Sequence, residues 1–222
     1  MPLPPLDTRG LPPIARLRAL ILERMIAANE RRAEAALDRI PAVAAAIRKY
    51  RTMSEVTGMS WSDYLTLYQE VRRYRPQEVL ELGSGVSTVV LAHALIDNAA
   101  DGSPLGRITS MEEDLGWHRK AMACFPPELA HLVDYLHSPK VDGHYKIFRG
   151  VQYASIPERP YDYVFSDGPE RHSLVNGDKL FDLDLIQIVR RSDRPIRAMV
   201  DNHYLTFYVL QKVFGTKLAR YS

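Results

Sequence analysis

A chain of 222 residues, 46% apolar and 25% charged, is long enough to bury one substantial core, so one main domain is expected. Twenty-nine basic against 27 acidic side chains leave a formal charge of +2, too even a balance for the broad positive field that nonspecific nucleic-acid binding uses, so no nucleic-acid partner is expected. The single cysteine, Cys124, cannot close an internal disulfide or form a CxxC metal pair, and with no apolar run of membrane-spanning length and no secretory leader, the expectation is no membrane contact and a cytoplasmic location.

Past a proline-rich lead, with five prolines among residues 1–13, Ile14, Leu17, Ile21, Met25, Ala28, Ala36, Leu37 and Ile40 recur at roughly helical spacing among Arg and Glu. The spacing predicts a long amphipathic helix, interrupted at Pro41 and resumed as an Ala-rich piece over residues 42–50. Residues 1–58 are expected to form a helical extension or cap, and residues 59–222 the main domain. Ten Arg or Lys against five Asp or Glu in residues 1–51 interleave with the apolar stripe. That interleaving reads first as a solvated face and second as a surface for a homodimer through the N-terminal helices.

Ser60-Trp61-Ser62-Asp63 has the form of a capping box with Asp in place of Glu, and Tyr64, Leu65, Tyr68 and Val71 supply a helical face that ends before Pro76. A short apolar run, Val79-Leu80-Glu81-Leu82, then predicts a strand stopped by Gly83-Ser84-Gly85, with helix again over residues 87–96. The alternation continues with strands at 107–111 and 132–136 and a helix at 115–124 between them. Further on come a strand at 161–166, a helix at 180–190 and a strand at 198–200. Strands separated by helices predict right-handed crossovers and a parallel sheet. Residues 139–160 read as a long loop beside a binding edge, a place for substrate selection. Residues 205–213 read as helix and 217–221 as a last strand.

The stretch from Glu81 to Thr88 lies at a strand end and opens a helix. Glycines there let the main chain turn tightly and approach a ligand, and the helix amino terminus offers unpaired N–H groups. A dinucleotide site would place a third glycine where Thr88 stands, and no GK[ST] follows to make a phosphate loop. Glu81 would repel a pyrophosphate and suits a ligand that carries an ammonium group.

On these residues the sequence resembles the class I methyltransferase family, whose first motif is an acid followed by x-G-x-G, as Glu81, Gly83 and Gly85 reproduce. The resemblance spans residues 60–204 and is nearest to the small-molecule O-methyltransferases. It implies an α/β, Rossmann-like, parallel-rich sheet with helices on both faces, S-adenosylmethionine as cofactor, and cofactor contacts that include Ser87 and Thr88 at the helix start. A second sign is Met111-Glu112-Glu113-Asp114, where the family ends its second strand on an acid for the ribose hydroxyls. Glu112 takes that role; Glu113 would face elsewhere by strand alternation, and Asp114 caps the next helix. Trp117 either shields the adenine or packs as an ordinary aromatic. Ser138, ending the third strand, is a further adenine contact, and His137 reads as structural. The third sign, Tyr161-Asp162-Tyr163-Val164-Phe165-Ser166-Asp167-Gly168, is similar to the family's YDxVxxDG and delivers Asp167 to the same edge.

Asp201 and Asn202, after the fifth strand, stand where metal-dependent O-methyltransferases of the catechol type place an Asp-Asn pair. With Asp167 they make three oxygen ligands suited to Mg²⁺, which would favour loss of a bound hydroxyl's proton. Those enzymes carry a lysine where this chain has Glu170, and Gly168-Pro169 also departs from their pattern, so a catechol acceptor is not carried over. Asp167 and His203 are the candidate catalytic residues, with His172 as an alternative base. The acceptor expected is a small-molecule hydroxyl. Two other readings stand beside methyl transfer: a noncatalytic nucleoside-binding or assembly protein on the same fold, and a nicotinamide-dependent oxidoreductase.

Overall fold

The structure, a computed structural model, describes residue 10 and residues 12–54, 58–200 and 204–218. Helix α1 (Pro13–Leu37) begins on a proline, whose missing N–H costs nothing in a first turn. Pro41 cannot continue that ladder and instead opens α2 (Pro41–Ser54), which buries Val43, Ala44, Ile47 and Tyr50. Helix α3 (Trp61–Tyr74) carries the expected capping box: the Asp63 amide donates to Ser60 Oγ at 3.1 Å, and the Ser60 amide donates to Asp63 Oδ2 at 3.2 Å. Glu30 of α1 adds a second clasp on the same helix end, accepting from the Trp61 amide at 2.8 Å.

Leu37, Val43, Ile47 and Tyr50 share one apolar cluster with Tyr64 and Leu67 of α3. The expected division at residue 58 therefore falls inside a continuous core. The first half of α1 is different: Ile14 is 70% exposed and Met25 64%, so the expected dimer stripe is solvent-facing in the single chain.

The next elements are β1 (Glu78–Leu82), α4 (Val86–Ala100), β2 (Arg107–Glu112), α5 (Leu115–Cys124) and β3 (Val133–His137). β1 pairs with β2, and β2 with β3, all parallel. The expected loop over residues 139–160 is instead an antiparallel hairpin, β4 (Lys140–Tyr145) and β5 (Phe148–Tyr153). Its strands lack a clean apolar alternation because Gly143 and Gly150 stand where Leu183 packs down on them.

β6 (Tyr163–Ser166) returns beside β1, and the motif residue Asp162 secures that return by accepting from the Gln77 and Glu78 amides at 2.9 and 3.1 Å. β7 (Phe181–Asp182) pairs with β5 and occupies the first residues of the expected 180–190 helix, so α6 (Asp184–Arg191) begins later. The cause is a buried polar knot. Ser166 Oγ donates to Asp182 at 2.7 Å, the Asp184 amide donates to Asp182 at 2.8 Å, and the Tyr153 amide donates to Asp184 at 3.1 Å. β8 (Arg197–Val200) pairs with β6, and α7 (Tyr204–Phe214) follows. At 215–217 the chain forms a 3₁₀ turn in place of the start of the expected last strand, and residues 219–221 lie outside the described residues.

The main sheet thus has the order β3-β2-β1-β6-β8 and is parallel throughout, with β4-β5-β7 as a small second sheet. Side chains alternate across it. Val79, Ile108, Tyr163 and Phe165 join the α2–α4 cluster, while Leu80, Leu82, Met111 and Val164 pack with Ile186 of α6 and Val209 of α7. Helices on both faces are as expected for an α/β parallel sheet. The strand order reverses at β1, between β2 and β6, which is where open sheets of this kind form a crevice beyond their carboxyl ends.

Gly150→Ala tests the clamp between the hairpin and β7. A Cβ there would lie 2.7 Å from the Phe181 carbonyl oxygen and 2.6 Å from Leu183 Cγ. The expected cost is about 1–3 kcal/mol, read as a lower urea midpoint with an unchanged m-value.

Candidate functional site

Two glycines bring the ends of β1 and β6 into contact. Gly83 holds φ +97°, a region that L side chains rarely adopt, and a Cβ on it would lie 3.0 Å from the Gly168 nitrogen. The Asp167 and Gly168 amides both donate to the Leu82 carbonyl, at 2.8 and 2.7 Å. Asp167 is thereby delivered, exposed, to the crevice.

Beneath the loop lies Glu81, with no exposure at all. Its Oε2 accepts from Thr88 Oγ1 and from Ser110 Oγ, each at 2.6 Å, and Thr88 Oγ1 in turn accepts from the Gly85 amide at 3.2 Å. Burial pushes the Glu81 carboxyl up to about 7 against the lowering pull of these hydroxyls. Glu81, expected against a ligand's ammonium group, lies instead under the loop, on the α4 side of the sheet, as the alternation from Val79 dictates. Thr88, at the position a dinucleotide fold gives to glycine, is fully buried by this bond.

Glu112 ends β2 and faces the crevice. Its Oε2 accepts from the Ser84 amide at 3.3 Å and Ser84 Oγ at 2.9 Å, and its Oε1 accepts from the Glu113 and Asp114 amides at 3.0 and 3.1 Å. Asp114 caps α5 through the Trp117 amide at 2.8 Å, as expected.

The crevice has two lobes that share Ser84, Glu112 and Asp167. One, of about 310 Å³, runs over the start of α4 past Gly85 and Ser87, between Tyr64 of α3 and Trp117 of α5. A Cβ built on Gly85 meets no described atom within 4 Å. The other lobe, of about 360 Å³, lies over Gly83 and Gly168 and is walled by Glu113, Glu170, His172 and Lys179.

Gly83, Gly85, Ser87, Glu112 and Asp167 are therefore brought together. Ser138 is not on either lining: it is buried, its amide donates to the Glu112 carbonyl at 2.9 Å, and its hydroxyl accepts from the Ser155 amide at 3.0 Å. Glu113, expected to face elsewhere, lines the polar lobe because the chain leaves the strand at Glu112; it accepts from the Glu170 amide at 2.9 Å, and burial raises its carboxyl. His137 Nε2 lies 3.1 Å from the Glu113 carbonyl oxygen, in keeping with a structural role. β8 runs beside β6 as far as Val200, opposite Ser166. Asp201, Asn202 and His203 lie outside the described residues. Among the described residues, no group of three His, Cys, Asp or Glu could hold a metal ion, and no helix is long and apolar enough to cross a membrane.

Two contributions had no local signal in the sequence. Tyr50, Asp63 and Tyr64 bring α2 and α3 to the wall of the first lobe. Lys140 of β4 donates to Glu170 Oε2 at 2.6 Å, so a lysine meets position 170 from another element while Glu170 also holds His172 Nδ1.

No family model and no curated protein matches the chain. Solved structures similar in form include the O-methyltransferase TomG of Streptomyces achromogenes with SAM, at 19% identity over 82% of this chain and 71% of that one, with a TM-score of 0.47. An O-methyltransferase of Bacillus cereus with SAH has 17% identity over 71% and 66%, TM-score 0.49. A Podospora anserina methyltransferase with SAH has 15% identity over 57% and 51%, TM-score 0.43. The chain thus spans about half the length of the last of these. All three likenesses are too distant to carry a function from those proteins to this one.

The buried Glu81 makes stability depend on pH. Its folded pKa, about 7, lies above the ordinary 4.5, so the folded state holds a proton that the unfolded chain releases. This contribution is full below pH 4.5 and is lost as pH rises to about 7. Glu81→Gln removes it. Denaturant titrations from pH 4 to 8 should show the variant losing less stability than the parent across that window, by roughly 3 kcal/mol at most.

Proposed function

We propose that this protein transfers a methyl group from S-adenosylmethionine to a hydroxyl of a small-molecule acceptor. The observation that carries the reading is Glu112, an acid held by Ser84 at the end of β2 and facing the same crevice as the glycine loop and Asp167. A ribose diol offers two O–H donors to such a carboxylate, and hydrogen bonds to a charged group are the stronger kind. The first lobe, with Trp117 on one wall and the amino end of α4 on its floor, suits an adenine ring and an amino acid carboxylate. Asp167, at the junction of the lobes, suits the ammonium and sulfonium charges.

Glu81 serves from below. By holding Thr88, and through it the Gly85 amide, it fixes the loop on which the ligand lies. The acceptor then enters by the polar lobe over Gly83 and Gly168. When bound, the cofactor supplies an activated methyl group on a sulfonium. The chain supplies position, an anionic side chain near the positive charge, and a cleft from which bulk water is displaced; such positioning accounts for much of the barrier reduction in methyl transfer.

Divalent-metal assistance is a separate proposal, supported by the sequence pattern of Asp167, Asp201 and Asn202. Asp167 alone of that set lies among the described residues.

Titration calorimetry with S-adenosylhomocysteine should show binding, and with NAD(P) none; the reverse would sink the reading. Glu112→Ala should weaken S-adenosylhomocysteine roughly tenfold to a hundredfold, and, because Ser84, Glu113 and Asp114 lose their acceptor, should also lower the stability of the free protein by about 1–3 kcal/mol. Asp167→Ala should abolish methyl transfer to an acceptor panel. The metal proposal predicts that EDTA stops turnover and that Mg²⁺ restores it; turnover indifferent to both removes the metal and leaves the methyl-transfer reading intact.

A further inference from the structure

The polar lobe holds a chain of contacts that binding the cofactor does not use. Glu170 follows Asp167 by three residues and is fixed from three sides. Its amide donates to the Glu113 carboxylate at 2.9 and 3.0 Å, Lys140 Nζ donates to its Oε2 at 2.6 Å, and the His172 amide donates to the same oxygen at 3.0 Å. Its other oxygen, Oε1, meets His172 Nδ1. His172 is in turn placed by an antiparallel bridge to Lys179. With Nδ1 engaged by a carboxylate, the neutral ring carries its proton there, and Nε2 is left as the basic nitrogen available to the lobe that His172 lines.

We propose that His172 is the base that takes the acceptor's hydroxyl proton, with Glu170 and Lys140 as positioning residues. This rests on the methyl-transfer reading and moves the base from His203 to His172. In the step, the acceptor oxygen forms a bond to the methyl carbon as the carbon–sulfur bond breaks. The electron pair returns to sulfur, and the hydroxyl proton passes to His172 Nε2 and then to water. Glu170 stabilises the imidazolium that forms, as a carboxylate behind a catalytic histidine does. Partial burial works against ionisation of Glu170, but its bonds to Lys140 and His172 prevail and hold its carboxyl at about 2, so the anion is present at any working pH. Among the described residues, the other charged groups facing this cluster are Arg171 on its own segment, Lys179 across the bridge, Glu113 beyond β2, and Glu112 and Asp167 on the floor.

Two measurements on the full chain test the assignment. The first is ¹⁵N NMR of the imidazoles in the complex with S-adenosylhomocysteine, with His172 assigned by His172→Asn. The Nδ1–H tautomer is expected, and it should give way to a tautomer mixture in Glu170→Gln; a dominant Nε2–H form overturns the proposal. The second is methyl transfer from labelled S-adenosylmethionine to a panel of phenols and aliphatic alcohols.

Wild-type kcat/KM should rise with unit slope through the range where histidine titrates, about pH 5–8. His172→Asn should bind S-adenosylhomocysteine as wild type does, lose about 10²- to 10⁴-fold in kcat/KM, and lose the pH dependence. It should recover most rate with nitrophenols, which ionise without a base. Glu170→Gln should lose rate with aliphatic alcohols and keep it with nitrophenols, because the amide no longer holds the ring proton at Nδ1; a packing role alone would lower both. His172→Asn with full rate and an unchanged limb overturns the proposal while the methyl-transfer reading survives. A wild-type protein that binds S-adenosylhomocysteine and methylates nothing in the panel overturns both.

Discussion

The crevice depends on one buried carboxyl group. Glu81 sits beneath the glycine loop and accepts from hydroxyls on two other elements, Ser110 of β2 and Thr88 of α4. Taking a carboxyl out of water is costly unless it is hydrogen-bonded or protonated. Here both occur: two hydroxyls converge on one oxygen, and burial favours the protonated form. The same web reaches the Gly85 amide through Thr88, so the start of α4 is held at a set height above the sheet. Beside it, a Cβ on Gly85 would meet no described atom within 4 Å, so the lobe stays open over the start of α4.

Above this foundation the site is assembled by strand ends. Leu82 offers one carbonyl to two successive amides of the β6 loop, and Gly83 and Gly168 allow those backbones to meet without side chains between them. Glu112, at the end of β2, and Asp167, just past the end of β6, consequently share one crevice with Ser84, each carried by a strand adjacent to β1. Helices α2 and α3, from the N-terminal third of the chain, complete the apolar lobe, and they share a core with α4. Helices α2 and α3 are therefore part of the wall of that lobe.

The polar lobe owes its character to the small sheet. Hairpin β4–β5 sends Lys140 to Glu170 from one side, while Tyr153 is held at the lobe by Asp184 in the buried knot with Asp182 and Ser166. Burial raises both aspartates, and the Asp182 charge raises Asp184 further; Ser166 Oγ and the Asp184 amide donate to Asp182, and the Tyr153 amide donates to Asp184. The knot joins β5, β6, β7 and α6, so polar contacts tie the elements beside the polar lobe, where apolar packing ties those beside the other.

The amino-acid sequence alone determined the parallel α/β plan, because that plan is written locally. Val79-Leu80-Glu81-Leu82 halted by Gly83-Ser84-Gly85 is a strand and a turn whatever surrounds it, and Asp114 before Leu115 starts a helix by its own capping bond. Gly83, Gly85, Glu112 and Asp167 were legible for the same reason: each ends a strand or lies in the turn that follows one, and parallel strands must present their ends on one edge. Tertiary structure decided the rest. Alternation alone did not say which face of β1 opens to the crevice, so only the packing of α4 showed that Glu81 lies below the loop. Glycines beneath Leu183 hid the hairpin from any pattern of hydrophobicity. Lys140, Glu170 and His172 became a cluster only because β4 passes the β6 loop, a contact between segments some 30 residues apart that no local rule encodes.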